Sequence, residues 1–316
     1  MQMKTITSVT TMLVFILWSA VVSGQSGPSQ HPTEFKTLKV KGVEIFYREA
    51  GKKDAPTLVL LHGYPTSSHM YRNLIRELSN EYHLIAPDYP GYGQSEQPPL
   101  SSFEYTFDNF ARITEELINQ LGIEKFSLYL MDYGAPVGFR IAERNPERIQ
   151  TLIIQNGNAY EEGLEEFWAP LRKYWKSRSP EDEKALAGSH SLDGLKWQYT
   201  HGVKNVNLVS PDNWEVDLSH LSRKENNEIQ LAMFYDYQFN LKLYPTWQAY
   251  FRKYQPATLV VWGKNDYIFP ASGAEAYKKD LKKLEFHLID TAGHFALESN
   301  EAEIIPIIRK FLKKNI

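Results

Sequence analysis

A chain of 316 residues is long enough for one large α/β domain or two modest ones, with a sizeable buried core. Its 35 basic and 38 acidic side chains nearly cancel to a net charge of −3, which gives no electrostatic pull toward nucleic acid or an anionic lipid surface. With no cysteine there is neither a disulfide framework nor a thiol to acylate, so stability must come from core burial.

The first elements in chain order are not part of a globular body. Residues 12–22 ("MLVFILWSAVV") form an apolar run too short to span a bilayer, and Val22-Ser23-Gly24 supplies small residues for cleavage. Residues 1–24 are therefore expected to be an export signal, with an uncleaved anchor as the alternative. Export to the periplasm or the exterior follows, with no stable membrane insertion after cleavage. Residues 25–34 read as a polar leader.

From residue 35 the pattern is strand, then helix. "FKTLKVKG" and "VEIFYREAG" alternate apolar and polar positions and predict an antiparallel hairpin. "TLVLLHG" (residues 57–63) is continuously apolar, as in a strand buried on both faces, and a helical segment follows near residues 71–78. "HLIAPDYPGYG" predicts another buried strand, and "FDNFARITEELINQLG" an amphipathic helix ending at Gly122. "KFSLYLM" and "IQTLIIQNGN" predict two further strands. Residues 159–254 then lose all strand signal and become helical and rich in Trp and Tyr. "ATLVVWG" and "LEFHLID" restore the strand pattern, and "EAEIIPIIRKFLKK" closes the chain as an amphipathic helix.

Strands alternating with helices predict an α/β fold, a mostly parallel sheet covered on both faces. The organisation expected is a core of residues 35–158 and 255–316, interrupted by a helical cap at residues 159–254. Ligands on such sheets bind beyond the carboxyl ends of the strands, and the polar residues of interest stand there. His62-Gly63-Tyr64-Pro65 follows one strand, and Asp88 with Gly91 and Gly93 follows the next. Asp132-Tyr133-Gly134 follows the third, in a sharp strand-to-helix turn, while Asp266 and His294 follow the last two. Each motif alone is weak: Asp132 also reads as a helix cap, and His62 as a structural hydrogen-bonding residue under its loop. Together, the chain order of elbow residue, acid and histidine is that of the α/β-hydrolase fold.

On these residues the sequence resembles the α/β-hydrolase superfamily from about residue 35 onward. It is most similar to the epoxide hydrolase and haloalkane dehalogenase branch, whose nucleophile is an aspartate. The resemblance implies Asp132 as nucleophile, Asp266 as acid and His294 as general base. It also implies backbone N–H groups of Tyr64 and Tyr133 as the oxyanion hole, and a cis Tyr64-Pro65 peptide. A carboxylate attacks an sp³ carbon bearing a strained or good leaving group, and the resulting ester on Asp132 is then hydrolysed by water that His294 deprotonates. No Gly-x-Ser-x-Gly occurs, which disfavours a serine esterase.

The leaving group divides the two chemistries. An epoxide oxygen needs a proton donor such as a phenol, whereas a halide needs N–H donors. Relatives of both kinds commonly carry tryptophan where this chain has Tyr133, and dehalogenases often have asparagine where it has Tyr64. Tyr237, Tyr199 and Tyr235 are the candidate phenols, and Trp168 is the candidate indole. Epoxide hydrolysis is the favoured reading and carbon–halide hydrolysis the alternative. A slow or non-catalytic binding protein of the same fold is a third reading. The substrate expected is a small, largely apolar molecule, with no metal or organic cofactor implied.

Overall fold

The structure, a computed structural model, describes residues 31–316; the expected signal segment and most of the leader lie outside them. One eight-stranded sheet organises the chain: β1 (Glu34–Val40), β2 (Val43–Ala50), β3 (Thr57–Leu61), β4 (His83–Pro87), β5 (Phe126–Met131), β6 (Ile149–Gln155), β7 (Ala257–Gly263) and β8 (Leu284–Ile289). Their spatial order is β1-β2-β4-β3-β5-β6-β7-β8. The β1/β2 and β2/β4 pairs are antiparallel, and every other pair is parallel.

The apolar runs explain why the sheet is internal. In β3, Val59 and Leu61 belong to one hydrophobic cluster while Leu58 and Leu60 belong to a second on the opposite face. β5 repeats the division, with Leu128 and Leu130 on one side and Tyr129 and Met131 on the other. Helices α1 (Arg72–Leu78), α2 (Phe107–Gln120) and α3 (Gly134–Arg144) follow β3, the loop after β4, and β5. Leu74 and Leu78 of α1 pack into the second cluster, and Phe107, Phe110 and Leu117 of α2 into the first. Each fully buried side chain of this kind contributes about 1.5–3 kcal/mol, which alternation of polar residues into these strands would forfeit.

Between β6 and β7 the chain is helical, with α4 (Ala169–Ser177), α5 (Pro180–Leu186), α6 (Leu192–Thr200), α7 (Asp212–Leu221), α8 (Asn226–Asp236), α9 (Gln238–Leu241) and α10 (Tyr244–Tyr254). We refer to α4–α10 and the turns before them as the cap. α11 (Ala271–Ala276) follows β7, and α12 (Ala296–Asn315) closes the chain. α12 starts earlier than its amphipathic pattern suggests, because a first turn runs into a kink at Asn300, where φ is −131° and ψ 31°. Among the described residues no helix is long and apolar enough to cross a membrane.

The strand order fixes where a site can form. β3 and β5 are neighbours, but the chain leaves β3 toward β4 on one side and leaves β5 toward β6 on the other. The loops at their carboxyl ends therefore diverge and open a crevice at this switch point.

Candidate active site

Asp132 stands on that crevice as the first residue after β5, two before the start of α3, with φ at +49°. A left-handed conformation at a non-glycine residue costs on the order of 1–3 kcal/mol and is held only where the surroundings impose it. Two glycines show how it is imposed. A Cβ on Gly134 would lie 2.1 Å from the Leu61 carbonyl oxygen, and one on Gly63 would lie 2.3 Å from Cβ of Asp132. Only glycine lets the β3 loop and the β5 turn approach this closely.

The approach creates the carboxylate's cradle. The Tyr64 backbone N–H donates to Oδ1 of Asp132 at 2.7 Å, and the Tyr133 backbone N–H also donates to this carboxylate. Oδ2 faces the imidazole instead, 3.8 Å from Nε2 of His294 and too far for a direct hydrogen bond. Burial pushes the Asp132 carboxyl up to about 6, against the pull of His294 and of the two backbone donors.

His294 is oriented from behind. Its Nδ1 lies 2.8 Å from Oδ2 of Asp266, and since a carboxylate only accepts, Nδ1 carries the proton and Nε2 presents its lone pair toward Asp132. Burial alone would depress the imidazole, but the Asp266 charge, its hydrogen bond and the Asp132 charge outweigh it and hold His294 above its ordinary value. Asp266 is itself fixed by N–H donors from Ile268 at 2.8 Å, Phe269 at 3.1 Å and the Asn156 amide at 2.7 Å. The structure thus brings the three residues proposed from the sequence into one contiguous arrangement.

His62 takes the place expected of it under the loop, with a consequence for the cradle. Its Nε2 accepts from the Tyr89 N–H at 3.2 Å, so Nδ1 carries the proton and donates to the Gly63 carbonyl at 2.9 Å. That carbonyl and the Tyr64 N–H belong to the same planar peptide unit. Fixing one end of the plane aims the other at Asp132. The Tyr64-Pro65 peptide is cis, as the resemblance implied. Asp88 is also structural, accepting from the Ser68 and Gln94 N–H groups at 2.7 Å each to shape the adjoining loops.

Above Asp132 lies a cavity of about 470 Å³, walled by cap residues such as Trp168, Leu171, Phe234 and Tyr237 together with Tyr64 and Tyr133. Of the four cap donors suggested by the sequence, two line it and two do not. Tyr199 points the other way, its hydroxyl donating to Asp217 at 2.6 Å and its ring stacked on Phe295. Tyr235 is half-buried under the Arg178 guanidinium, against Tyr174 and Phe239. It is two residues from Tyr237, about 200° around a helical run, so the two cannot share a face. Trp168 reaches the cavity, but its indole N–H is committed to the Ile268 carbonyl at 2.8 Å. Tyr237 is left as the cap donor on the cavity wall.

Sequence reasoning missed Asn156, at the end of β6. Its amide donates to Asp266, its side-chain oxygen accepts from the Gly263 N–H at 3.1 Å, and its carbonyl accepts from the Asp132 N–H at 3.3 Å. One residue thereby ties the acid to the nucleophile's backbone. Its signal was position alone, the same strand-end placement that marked the other five motifs.

The fold agrees with comparison to known proteins. A family model described as alpha/beta hydrolase fold matches residues 56–301. An uncharacterized hydrolase of Saccharomyces cerevisiae is 44% identical over 286 residues, covering 89% of this chain and 98% of that protein. Epoxide hydrolase 1 of Caenorhabditis elegans is 25% identical, over 88% of this chain and 70% of its own. The haloalkane dehalogenase DatA of Agrobacterium tumefaciens superposes with a TM-score of 0.75 at 21% identity, covering 90% of this chain and 97% of DatA. The chain belongs to the α/β-hydrolase fold family and is a hydrolase related to both epoxide hydrolases and haloalkane dehalogenases.

Proposed function

We propose that the protein opens epoxides to diols through a covalent alkyl ester on Asp132. The observation that carries this reading is the unequal environment of the two Asp132 oxygens, Oδ1 in a backbone N–H cradle and Oδ2 free beside His294. In the first step Oδ2 forms a bond to a ring carbon as the carbon–oxygen bond of the epoxide breaks, and the departing oxygen takes a proton from Tyr237. In the second, His294 Nε2 takes a proton from water, whose oxygen attacks the ester carbonyl carbon. The oxyanion then develops on Oδ1, which the Tyr64 N–H already meets, with the Tyr133 N–H donating to the same carboxylate. Collapse returns the Asp132 carboxylate, one proton of the water going to the second hydroxyl and the other restoring Tyr237.

Esterification also tunes the base. Once Asp132 is an ester its negative charge is gone, and with it one of the interactions that hold His294 above its ordinary value. The imidazole is then more readily neutral when a base is required.

The cap favours an oxygen leaving group over a halide. The Trp168 and Trp175 indoles already serve the carbonyls of Ile268 and Phe234, whereas the Tyr237 hydroxyl stands on the cavity wall. The largely apolar lining suits a small apolar epoxide. We further infer that residues 1–24 direct export; N-terminal sequencing of the mature protein after expression in its own cell tests this, a retained Met1 counting against it.

The deciding experiment offers the protein panels of small epoxides and bromoalkanes. Diol formation without bromide release supports the reading, and bromide release reverses it in favour of dehalogenation. Asp132→Ala should abolish turnover, while a wild-type protein that binds but does not turn over either class would be a binding protein. A single turnover in heavy-oxygen water should label Asp132, and an unlabelled carboxylate would mean that it never became an ester.

A further inference from the structure

Glutamine is a surface residue by default, so a buried one on a helix needs an account. α6 turns Gly194, Trp197 and Gln198 toward the cavity, three positions that share one helical face. Gln198 is 5% exposed, deep enough that an amide end without a partner is costly. Its Nε2 donates to the Ser189 carbonyl at 3.2 Å, and a flipped amide would set oxygen against oxygen, so its orientation is fixed. Among the described residues nothing donates to Oε1, yet it is not sealed inside protein as the unpartnered Tyr133 hydroxyl is. It opens on the cavity that Gln198 lines.

The rest of the inner wall has no comparable group. The Ser189 hydroxyl donates to the Leu186 carbonyl at 2.6 Å, the Tyr64 hydroxyl to the Ser189 carbonyl at 3.1 Å, and the Trp168 indole is committed to Ile268. Asp132, His294 and Tyr237 belong to the reaction. Glu166, Trp197 and Tyr267 stand at the rim, half-buried or exposed. The Gln198 oxygen is thus an open acceptor among apolar side chains such as Leu171, Leu186 and Phe234. Tyr64 places it relative to the chemistry. The backbone N–H of that residue meets Asp132, and its hydroxyl meets the same Ser189 carbonyl that holds the Gln198 amide. The acceptor therefore lies beyond the far end of a tyrosine side chain that starts at the nucleophile.

Resting on the epoxide reading above, we propose that Gln198 selects an apolar epoxide carrying one hydroxyl, set away from the ring by a spacer comparable to the Tyr64 side chain. With Oδ2 of Asp132 at the ring carbon, the hydroxyl donates to Gln198 Oε1. The preference arises as much from the protein as from the substrate. A bound epoxide displaces water from the cavity. Without a hydroxyl it leaves Oε1 buried and unpaired, whereas with one it supplies the missing donor. An ammonium group would bring a charge that this wall does not compensate, so a neutral hydroxyl is the donor that fits.

The test offers linear terminal epoxides with a hydroxyl at successive carbons, each beside its unsubstituted parent, to the wild type and to Gln198→Leu. At one spacer length the wild type should give the hydroxyl compound a kcat/KM about five- to tenfold above its parent, the worth of one neutral hydrogen bond. Gln198→Leu should reverse that order, because the hydroxyl then has no acceptor and the parent gains an apolar contact. The Ser189 carbonyl keeps the Tyr64 hydroxyl as its donor in this variant. A mere packing defect would lower both compounds alike and leave their order unchanged. That outcome, or a wild type that favours no hydroxyl compound at any spacer length, would overturn the Gln198 contact and leave epoxide hydrolysis standing. Diol from none of the compounds would instead overturn the proposed function itself. Should Gln198→Leu not fold, Gln198→Met, unbranched and flexible, carries the same expectation.

Discussion

Two buried aspartates show how differently the core and the cap are finished. Asp266, in the core loop after β7, has both oxygens filled by four donors: the Ile268 and Phe269 N–H groups, the Asn156 amide and the His294 imidazole. Asp217, on cap helix α7, accepts from the Tyr199 hydroxyl and from Thr66, while its Oδ1 has no partner and Glu298 lies nearby. Asn213, one turn earlier on the same helix, is buried with neither end of its amide partnered, and so is Asn240 in α9. Buried polar groups left unpartnered are costly, and the core carries them too, at the Tyr89 and Tyr133 hydroxyls and the Gln155 amide nitrogen, but the acid that orients His294 has none. The contrast lies in the two acids themselves: the one beside the imidazole has every acceptor filled, and the one in the cap keeps an oxygen without a partner.

The sharpest way to break this comparison is at the imidazole. His294→Gln keeps a polar side chain but no base, so ring opening should proceed and ester hydrolysis should stop. Intact-protein mass spectrometry should find the variant heavier by the mass of one substrate, and an unshifted mass with every substrate turned over by the wild type would end the covalent mechanism. A smaller loss is expected from His62→Phe, which keeps the ring contacts with Tyr89 and Tyr92 but frees the Gly63 carbonyl. If the Gly63-Tyr64 peptide then wavers, kcat should fall by up to about a hundredfold, approaching loss of one oxyanion donor. An unchanged kcat would show that the cis-proline loop holds the plane unaided. Milder still is the acid limb of kcat/KM. Asp132 must be ionised to attack, and with its carboxyl pushed up to about 6, activity should fall roughly tenfold per unit below that pH. A limb near pH 4 would mean that the cradle outweighs burial.

The same contrast decides what the sequence could disclose. Strands covered on both faces must be continuous apolar runs, so a polar residue at the end of one stands out, and Asp132, Asp266 and His294 were legible for that reason. Asn156 stood in an equally visible place, "IIQNGN", but an amide carries no signature of acid–base chemistry. Its importance lies in which atoms it reaches, those of Asp266 and Gly263. In the cap the difficulty was rotational. Tyr199, Tyr235 and Tyr237 are equivalent as residues in an aromatic-rich helical stretch, and only the packing of helices against one another decides that Tyr237 alone of the three reaches the cavity. Helical periodicity fixes angles within one helix, not the phase of that helix against its neighbours.

The smallest effect concerns the cap and should appear in stability rather than turnover. Burial, opposed by the Tyr199 bond and reinforced by the nearby Glu298 charge, pushes the Asp217 carboxyl up to about 7, against an ordinary value near 3.9 in the unfolded chain. The folded protein therefore binds this proton more tightly than the unfolded one. The stabilisation is complete below about pH 4 and is lost as pH rises through about 7. Asp132, raised for the same reason, adds a slope of the same sign, so wild-type thermal stability alone cannot separate them. Asp217→Asn can: the amide oxygen still accepts from Tyr199, but nothing ionises. Its melting temperature should decline less than the wild type's between pH 5.5 and 8, leaving the variant a few degrees ahead at the upper end (~1–2 kcal/mol for a chain of this size). Parallel melting curves would mean that Asp217 is already ionised in the folded protein at pH 5.5, and that α7 carries a buried charge rather than a carboxylic acid.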